Sequence, residues 1–183
     1  MKMMRMSNVR IGHINLARTL NGTGEHFISL VEGLQQRDVR QYVLVRNRAL
    51  AKRLQAVGDV EVGPTVKSAV SAYCLMPRCD LVHIHDTQSA QAGLLLTLTR
   101  SIPFVMTQGE TLPGTGPIVR AVYKRAARII CRDASDAALL RHCEPSLNIA
   151  IVPDVVHAGS ASRLLRVYQN SQRIPTAGSN GIQ

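Results

Sequence analysis

The sequence predicts an α/β fold, a doubly wound parallel sheet in a single domain. Short apolar runs rich in β-branched residues alternate with stretches of helical spacing along nearly the whole chain. The helical stretches run to about 10 to 15 residues, the length that carries a chain from one parallel strand to the next. With 183 residues and 45% hydrophobic content, the chain is long enough to bury one real core.

Residues 1–8 read as a flexible N-terminus. Val9, Ile11 and Ile14 then supply the apolar residues of a first strand near Val9 to Ile14. Asn21-Gly22-Thr23-Gly24-Glu25 follows as a glycine-rich loop, and Phe27, Leu30, Val31 and Leu34 share one stripe of the first helix. Tyr42 to Val45 is the second strand. Arg48 to Val57 reads as a helix with Leu50, Leu54 and Val57 on its apolar side, closed by Gly58. Val60-Glu61-Val62 is a short third strand, and Pro64 can open a helix carrying Val66, Val70, Tyr73 and Cys74. Asp80 to Asp86 is the clearest later strand. Ser89 can cap the helix after it, which has Ala92, Leu95, Leu96 and Thr99 on one face. Pro103 to Thr107 is the fifth strand, and a glycine- and proline-rich loop from Gly109 to Pro117 leads into a basic helix through Ala127. Ile129-Ile130-Cys131 is the sixth strand, Asp133 caps a helix reaching His142, and Ile149 to Val152 is the seventh strand. From Ala158 onward Leu164, Leu165 and Val167 can finish a helical turn or two. Asn170 to Gln183, rich in Ser, Gly, Asn and Pro, reads as a disordered tail.

Composition narrows the function classes. The 22 basic and 12 acidic residues leave a net charge of +10, which favours an anionic partner: a phosphorylated substrate, an acidic membrane surface or nucleic acid. Nucleic acid is not expected, because the aromatic content is 3%, there is no Trp, and no recognised motif accompanies the charge. No 18-residue apolar run occurs, and Met1 to Arg10 has no apolar core of a secretory signal, so a cytoplasmic location is expected. Cys74, Cys79, Cys131 and Cys143 form no Cys-x-x-Cys pair and read as buried thiols in a reducing compartment. Cys74, Cys79, His83 and His85 lack the spacing of a zinc site, and no metal is expected.

In sheets of this kind ligands sit at the carboxyl ends of the strands. That selects Asn15 to Glu25, His85, Asp86, Thr107 to Glu110 and Arg132. Gly22 and Gly24 let a ligand approach the backbone, and the helix that follows points free N–H groups and its positive dipole end at an anion. His83 and His85 share one side of their strand by period 2, opposite Ile84. His83, mid-strand, reads as a satisfied core histidine, and His85, at the carboxyl end, as the functional one. In the basic helix Arg120, Lys124 and Arg128 fall at i, i+4 and i+8 with Arg125 alongside. Two readings stay open there, a solvated outer face and a patch for an anionic membrane.

Four segments recur in a familiar order: Gly22-Thr-Gly-Glu25 after a first strand, Asp80-Leu-Val-His-Ile-His-Asp86, Ala126-Ala-Arg-Ile-Ile-Cys-Arg-Asp133, and Ile151-Val-Pro-Asp-Val-Val-His157. Together, over residues 9–157, they resemble the N-terminal, acceptor-side domain of a family 4 glycosyltransferase of the GT-B type. The resemblance implies a Rossmann-like fold and a retaining transferase acting in lipopolysaccharide or other glycan biosynthesis. It would move a sugar from a nucleotide-sugar donor, its substrate, to a glycan or lipid-linked acceptor, with no further cofactor. It places Gly22, Thr23, Gly24 and Glu25 at the donor's phosphates or sugar and His85, the catalytic candidate, beside the transferred sugar. Asn15, Asp86, Thr107 and Gln108 are the expected acceptor cleft. Under it the sharper of the two readings of Arg120, Lys124, Arg125 and Arg128 is a patch for an anionic membrane, on the inner face of the plasma membrane, as peripheral glycosyltransferases handling lipid-linked acceptors use.

Departures from the family pattern are as informative. Val155 stands where the closing segment has glycine, Asp133 where a serine is expected, and Gln108 where a basic residue is common. The glutamate pair that holds the donor's ribose and sugar has no counterpart, since Glu144 is the last glutamate. Residues 158–183 leave no room for the donor-binding domain, so the expectation is a truncated half, inactive alone and completed by a separate donor-binding chain. The competing reading is a non-catalytic, degenerate domain that binds a membrane or a partner. A dinucleotide-binding domain of another enzyme fits less well, because no Gly-x-Gly-x-x-Gly follows the first strand.

Overall fold

The computed structural model describes residues 9–19, 22–108, 117–153 and 158–172. Among these the chain alternates as β1 (Arg10–Asn15), α1 (Gly22–Gln35), β2 (Arg40–Val45), α2 (Arg48–Gln55), β3 (Val60–Val62), α3 (Ala69–Leu75), β4 (Leu81–Ile84), α4 (Ala90–Arg100), β5 (Phe104–Thr107), α5 (Pro117–Arg125), β6 (Arg128–Cys131), α6 (Ala134–Cys143), β7 (Ile149–Ile151) and α7 (Ala158–Gln172). The strands form one sheet in the order β3-β2-β1-β4-β5-β6-β7, every described pair parallel. The expected Rossmann-like, doubly wound sheet is therefore the fold.

Because successive strand side chains face opposite ways, each strand feeds two cores. Ile11, Val43, Val45, Leu81, Val105 and Ile130 pack under α1, α2 and α7, against Phe27, Val31, Leu34, Leu54, Leu164 and Tyr168. Ile14, Leu44, Val82, Ile84, Phe104, Met106 and Ile129 pack under the other helices, against Ala72, Ala92, Leu96, Val122, Ala137 and Leu140. The Val, Leu, Ile, Phe and Met side chains among these each contribute about 1.5–3 kcal/mol when fully buried, so both faces of the sheet are held against helices. Strand order reverses at β1, whose neighbours are β2 on one side and β4 on the other. From β1 the chain passes to α1 on one face and from β4 to α4 on the other, which makes this the switch point at whose carboxyl edge folds of this kind bind ligands in a crevice.

Several elements differ from expectation for physical reasons. Pro64 does not open a helix. Gly63 N–H donates to Val43 O (2.9 Å) and Val66 N–H to Val45 O (3.0 Å), so this segment runs on alongside β2. The helix waits for Ser68, whose hydroxyl accepts from Ser71 N–H, and Val70, expected on the apolar side, is 60% exposed. Ser89 occupies the cap position of α4 without capping it: its backbone is already helical, and its hydroxyl donates to Asp86. Asp133 does cap α6, accepting from Asp136 N–H at 2.8 Å. The basic helix stops at Arg125, because Ala127 N–H donates to Phe104 O and Arg128 enters the sheet in register with Val105. In place of a turn or two, α7 is a 15-residue helix that takes in Asn170 to Gln172 of the expected tail and buries Leu164, Val167 and Tyr168. It lies close to α1, where a methyl on Gly33 would sit 3.2 Å from the Ala161 Cβ.

Candidate functional site

Three histidines meet where the strand order reverses. His13 of β1 lies in register with His83 of β4, and His85 follows one residue past the end of β4. Both strands turn these side chains to the α1 side, as period 2 requires. His13 and His83 have no exposed surface, whereas His85 is half-buried. The His13 and His85 rings are 5.3 Å apart between centroids, the His83 and His85 rings 3.9 Å. Phe27 of α1 closes over them, 4.3 Å from the His85 ring, and Tyr168 of α7 meets His83 edge-on at 5.6 Å.

Hydrogen bonds orient the rings. His83 is held at both nitrogens: Nδ1 lies 2.7 Å from the Tyr168 hydroxyl and Nε2 2.7 Å from Thr107 Oγ1. His85 Nε2 lies 3.1 Å from His13 Nδ1, so one of that pair donates and the other accepts. That leaves Nδ1 as the His85 nitrogen free to meet a ligand. His13 Nε2 and Gln41 Oε1 are both buried without a hydrogen bond of good geometry. The Gln41 amide is nonetheless near enough to favour the charged imidazole of His13, against the larger effect of burial, which lowers that group from 6.5 to about 3. Burial likewise holds His83 well below its ordinary value, with the His13 charge adding to it. His85 is lowered by burial first and then by its histidine neighbours. All three rings are neutral at physiological pH, fit to donate, accept or ligate.

The expected site residues fall into two groups. His83 is the satisfied core histidine anticipated, and His85 stands at the carboxyl edge beside α1. Gly22, Thr23 and Gly24 lie in the first turn of α1, whose N-terminus opens toward the same edge. Glu25 is exposed and turned to Arg53, which donates to it through both terminal nitrogens, one at 2.7 Å. Asp86 is a tie across the crevice. Its Oδ2 accepts from Leu16 N–H (2.6 Å) and its Oδ1 from Ser89 N–H (2.9 Å), which binds the loop after β1 to the loop after β4. Asn15 Oδ1 accepts from Ala17 N–H at 3.0 Å, and Asn15 is almost fully buried. Thr107 is committed to His83, and Gln108 Oε1 accepts from the Tyr123 hydroxyl at 2.7 Å.

The basic patch is dispersed. Arg120, Lys124 and Arg125 are on exposed positions of α5, Lys124 is paired with Glu144 at 3.3 Å, and Arg128 belongs to β6. The i, i+4, i+8 stripe therefore does not form. Gly109 and Glu110, and the Pro153-to-His157 segment beyond Pro153, lie outside the described residues. His13 was not singled out from the sequence, nor was Phe27 as its neighbour or Tyr168 as the partner of His83. The available signal for His13 was a histidine at strand period from Asn15 on the same face as the glycine-loop helix.

No protein-family model matches the chain, and no curated protein matches it by sequence. Solved structures do resemble it. HepE from Anabaena, determined with UDP and glucose, matches with a TM-score of 0.59 at 13% identity over 80% of this chain and 44% of that one. HepE determined with UDP-glucose matches equally, at a TM-score of 0.59 and 11% identity. A UDP-N-acetylglucosamine 2-epimerase matches at a TM-score of 0.59 and 15% identity, over 80% of this chain and 48% of that one. The chain thus spans less than half the length of these proteins. At such identities the likeness establishes the fold alone, a Rossmann-like α/β sheet shared over that span.

Proposed function

We propose that this chain is the acceptor-side half of a retaining glycosyltransferase that moves a sugar from a nucleoside diphosphate to a glycan or lipid-linked acceptor. A second domain or chain would complete it by gripping the donor. The observation that carries the reading is the position of His85, at the carboxyl edge where strand order reverses and beside the first turns of α1. In this reading its Nδ1 meets a hydroxyl of the transferred sugar. The backbone N–H groups of Gly22 to Gly24 face the diphosphate, with the helix dipole behind them. Asn15, Asp86, Thr107 and Gln108 act on the acceptor by shaping the cleft, since their side chains are bonded within the protein. Glu25 adds no free donor, since its carboxylate is taken by Arg53 and its backbone N–H falls at the fourth position of α1, where the helix's own bonding begins. The UDP and UDP-glucose held by proteins of the same fold support a nucleotide sugar as the ligand class.

Calorimetry with a panel of nucleotide sugars, and assays of their hydrolysis and transfer, test this. The expected result is weak binding of one or more of them without turnover. Removing the hydrogen bond in His85→Ala should weaken that binding about tenfold. Turnover by the chain alone, or binding indifferent to His85→Ala, would contradict the proposal.

A further inference from the structure

We propose that His13, His83 and His85 form a three-histidine site for a divalent metal ion of the Zn²⁺ class. One nitrogen from each ring can be chosen so that all three lie within 4.8 Å of one another. The His13 Nδ1 to His85 Nε2 separation is 3.1 Å. Two nitrogens bound tetrahedrally to zinc, each at about 2.0–2.1 Å, stand about 3.4 Å apart, so this pair needs only a slight opening to share an ion.

A second observation points the same way. His13 Nε2 and Gln41 Oε1 are buried neighbours, each without a partner, while Gln41 Nε2 is already committed to Val31 O at 2.9 Å. A small ring rotation joins the two orphans. It places the His13 proton on Nε2 and leaves the Nδ1 lone pair facing His85. An ion there would take the place of the proton the two rings otherwise share, with Gln41 orienting the outer nitrogen as partners of metal-bound histidines commonly do. His83 can supply the third nitrogen by releasing one of its two hydroxyls, Thr107 or Tyr168, and keeping the other as its orienting partner.

The ligand set selects the ion. Three neutral imidazoles and no carboxylate suit zinc and its neighbours in the transition series, and do not suit Mg²⁺ or Ca²⁺, which take oxygen. Three protein ligands leave a fourth position, and half-buried His85 gives the route to it. The proposal rests on the cluster itself and is independent of the nucleotide-sugar reading.

The test uses tag-free protein stripped by a chelator at neutral pH, titrated with Zn²⁺ by calorimetry and with Co²⁺ by visible absorption. One ion per chain and the intense bands of tetrahedral Co²⁺ are expected. Gln41→Leu should weaken Zn²⁺ binding tenfold to a hundredfold and His13→Gln by more than about a hundredfold, each variant first checked for its fold by circular dichroism. Imidazole nitrogen NMR of the unaltered protein gives a readout that needs no variant, with His13 Nδ1 and His85 Nε2 shifting on adding Zn²⁺. No tetrahedral Co²⁺ bands, or unshifted resonances for those two nitrogens, would overturn the proposal. So would full-strength binding by His13→Gln, which would place the ion on exposed groups such as His142.

Discussion

At the scale of the residue, burying neutral histidines makes folding sensitive to acid. His13 falls from 6.5 to about 3 in the folded protein, and His83 and His85 shift in the same direction. Above pH 6.5 the rings are neutral in both folded and unfolded chains, so they add no pH dependence. As pH falls below 6.5 the unfolded chain takes up protons that the folded one excludes. Stability should then drop by up to about 1.4 kcal/mol per pH unit for each excluded proton, continuing for His13 to near pH 3. Urea midpoints measured downward from neutral pH, above the range where carboxylates titrate, check this. A flat profile there would mean that the rings take up protons in the folded state. His85 was legible in the sequence because it ends an apolar strand. His13 was not, because it sits inside β1 and its meaning comes from its register with His83, which only strand pairing fixes.

At the scale of the element, α4 is set by a close approach that its spacing does not reveal. A methyl group on Gly93 would lie 2.9 Å from the Phe104 ring and 3.0 Å from Ile84 Cγ1. An exposed helical Gly→Ala change gains about 1 kcal/mol, whereas overpacking a core costs about 1–3 kcal/mol. Gly93→Ala should therefore destabilise the protein, and a raised melting temperature would contradict that contact. The same logic explains which elements were legible. β3 and α6 were read with their bounds nearly right because a Val-Glu-Val alternation and an Asp cap are local signals. The start of α3 and the end of α5 were missed, because bonds to β2 and β5 decide them. For α5 a membrane contact, the reading left open beside a solvated face, would rest on Arg120, Lys124 and Arg125, with Lys124 shared with Glu144. At about 1 kcal/mol per basic residue, acidic vesicles should bind at low salt and release as screening shortens the reach to about 8 Å. Replacing the three by Gln should remove most of that binding. Equal binding by variant and parent would mean that the net charge acts diffusely.

At the scale of the whole molecule, alternation of strand and helix was enough to foresee a parallel sheet with two buried faces. It could not foresee α7, whose apolar residues Leu164, Val167 and Tyr168 become a stripe only when laid on the α1 face. That helix completes the second core and delivers the hydroxyl that holds His83, so packing and site geometry share a cause. The order β3-β2-β1-β4-β5-β6-β7 fixes the crevice between β1 and β4, and the loops there are tied through Asp86. The central claim is that a nucleotide sugar is met at this edge. The most direct measurement is a nitrogen-labelled NMR titration with a nucleotide-sugar panel, followed residue by residue. The account predicts shifts at Gly22 to Glu25, His85, Asp86 and Gln108, together, at the carboxyl edge. Shifts confined to the opposite edge, near Arg10, Asp80 and Pro103, or none with any member of the panel, would contradict it.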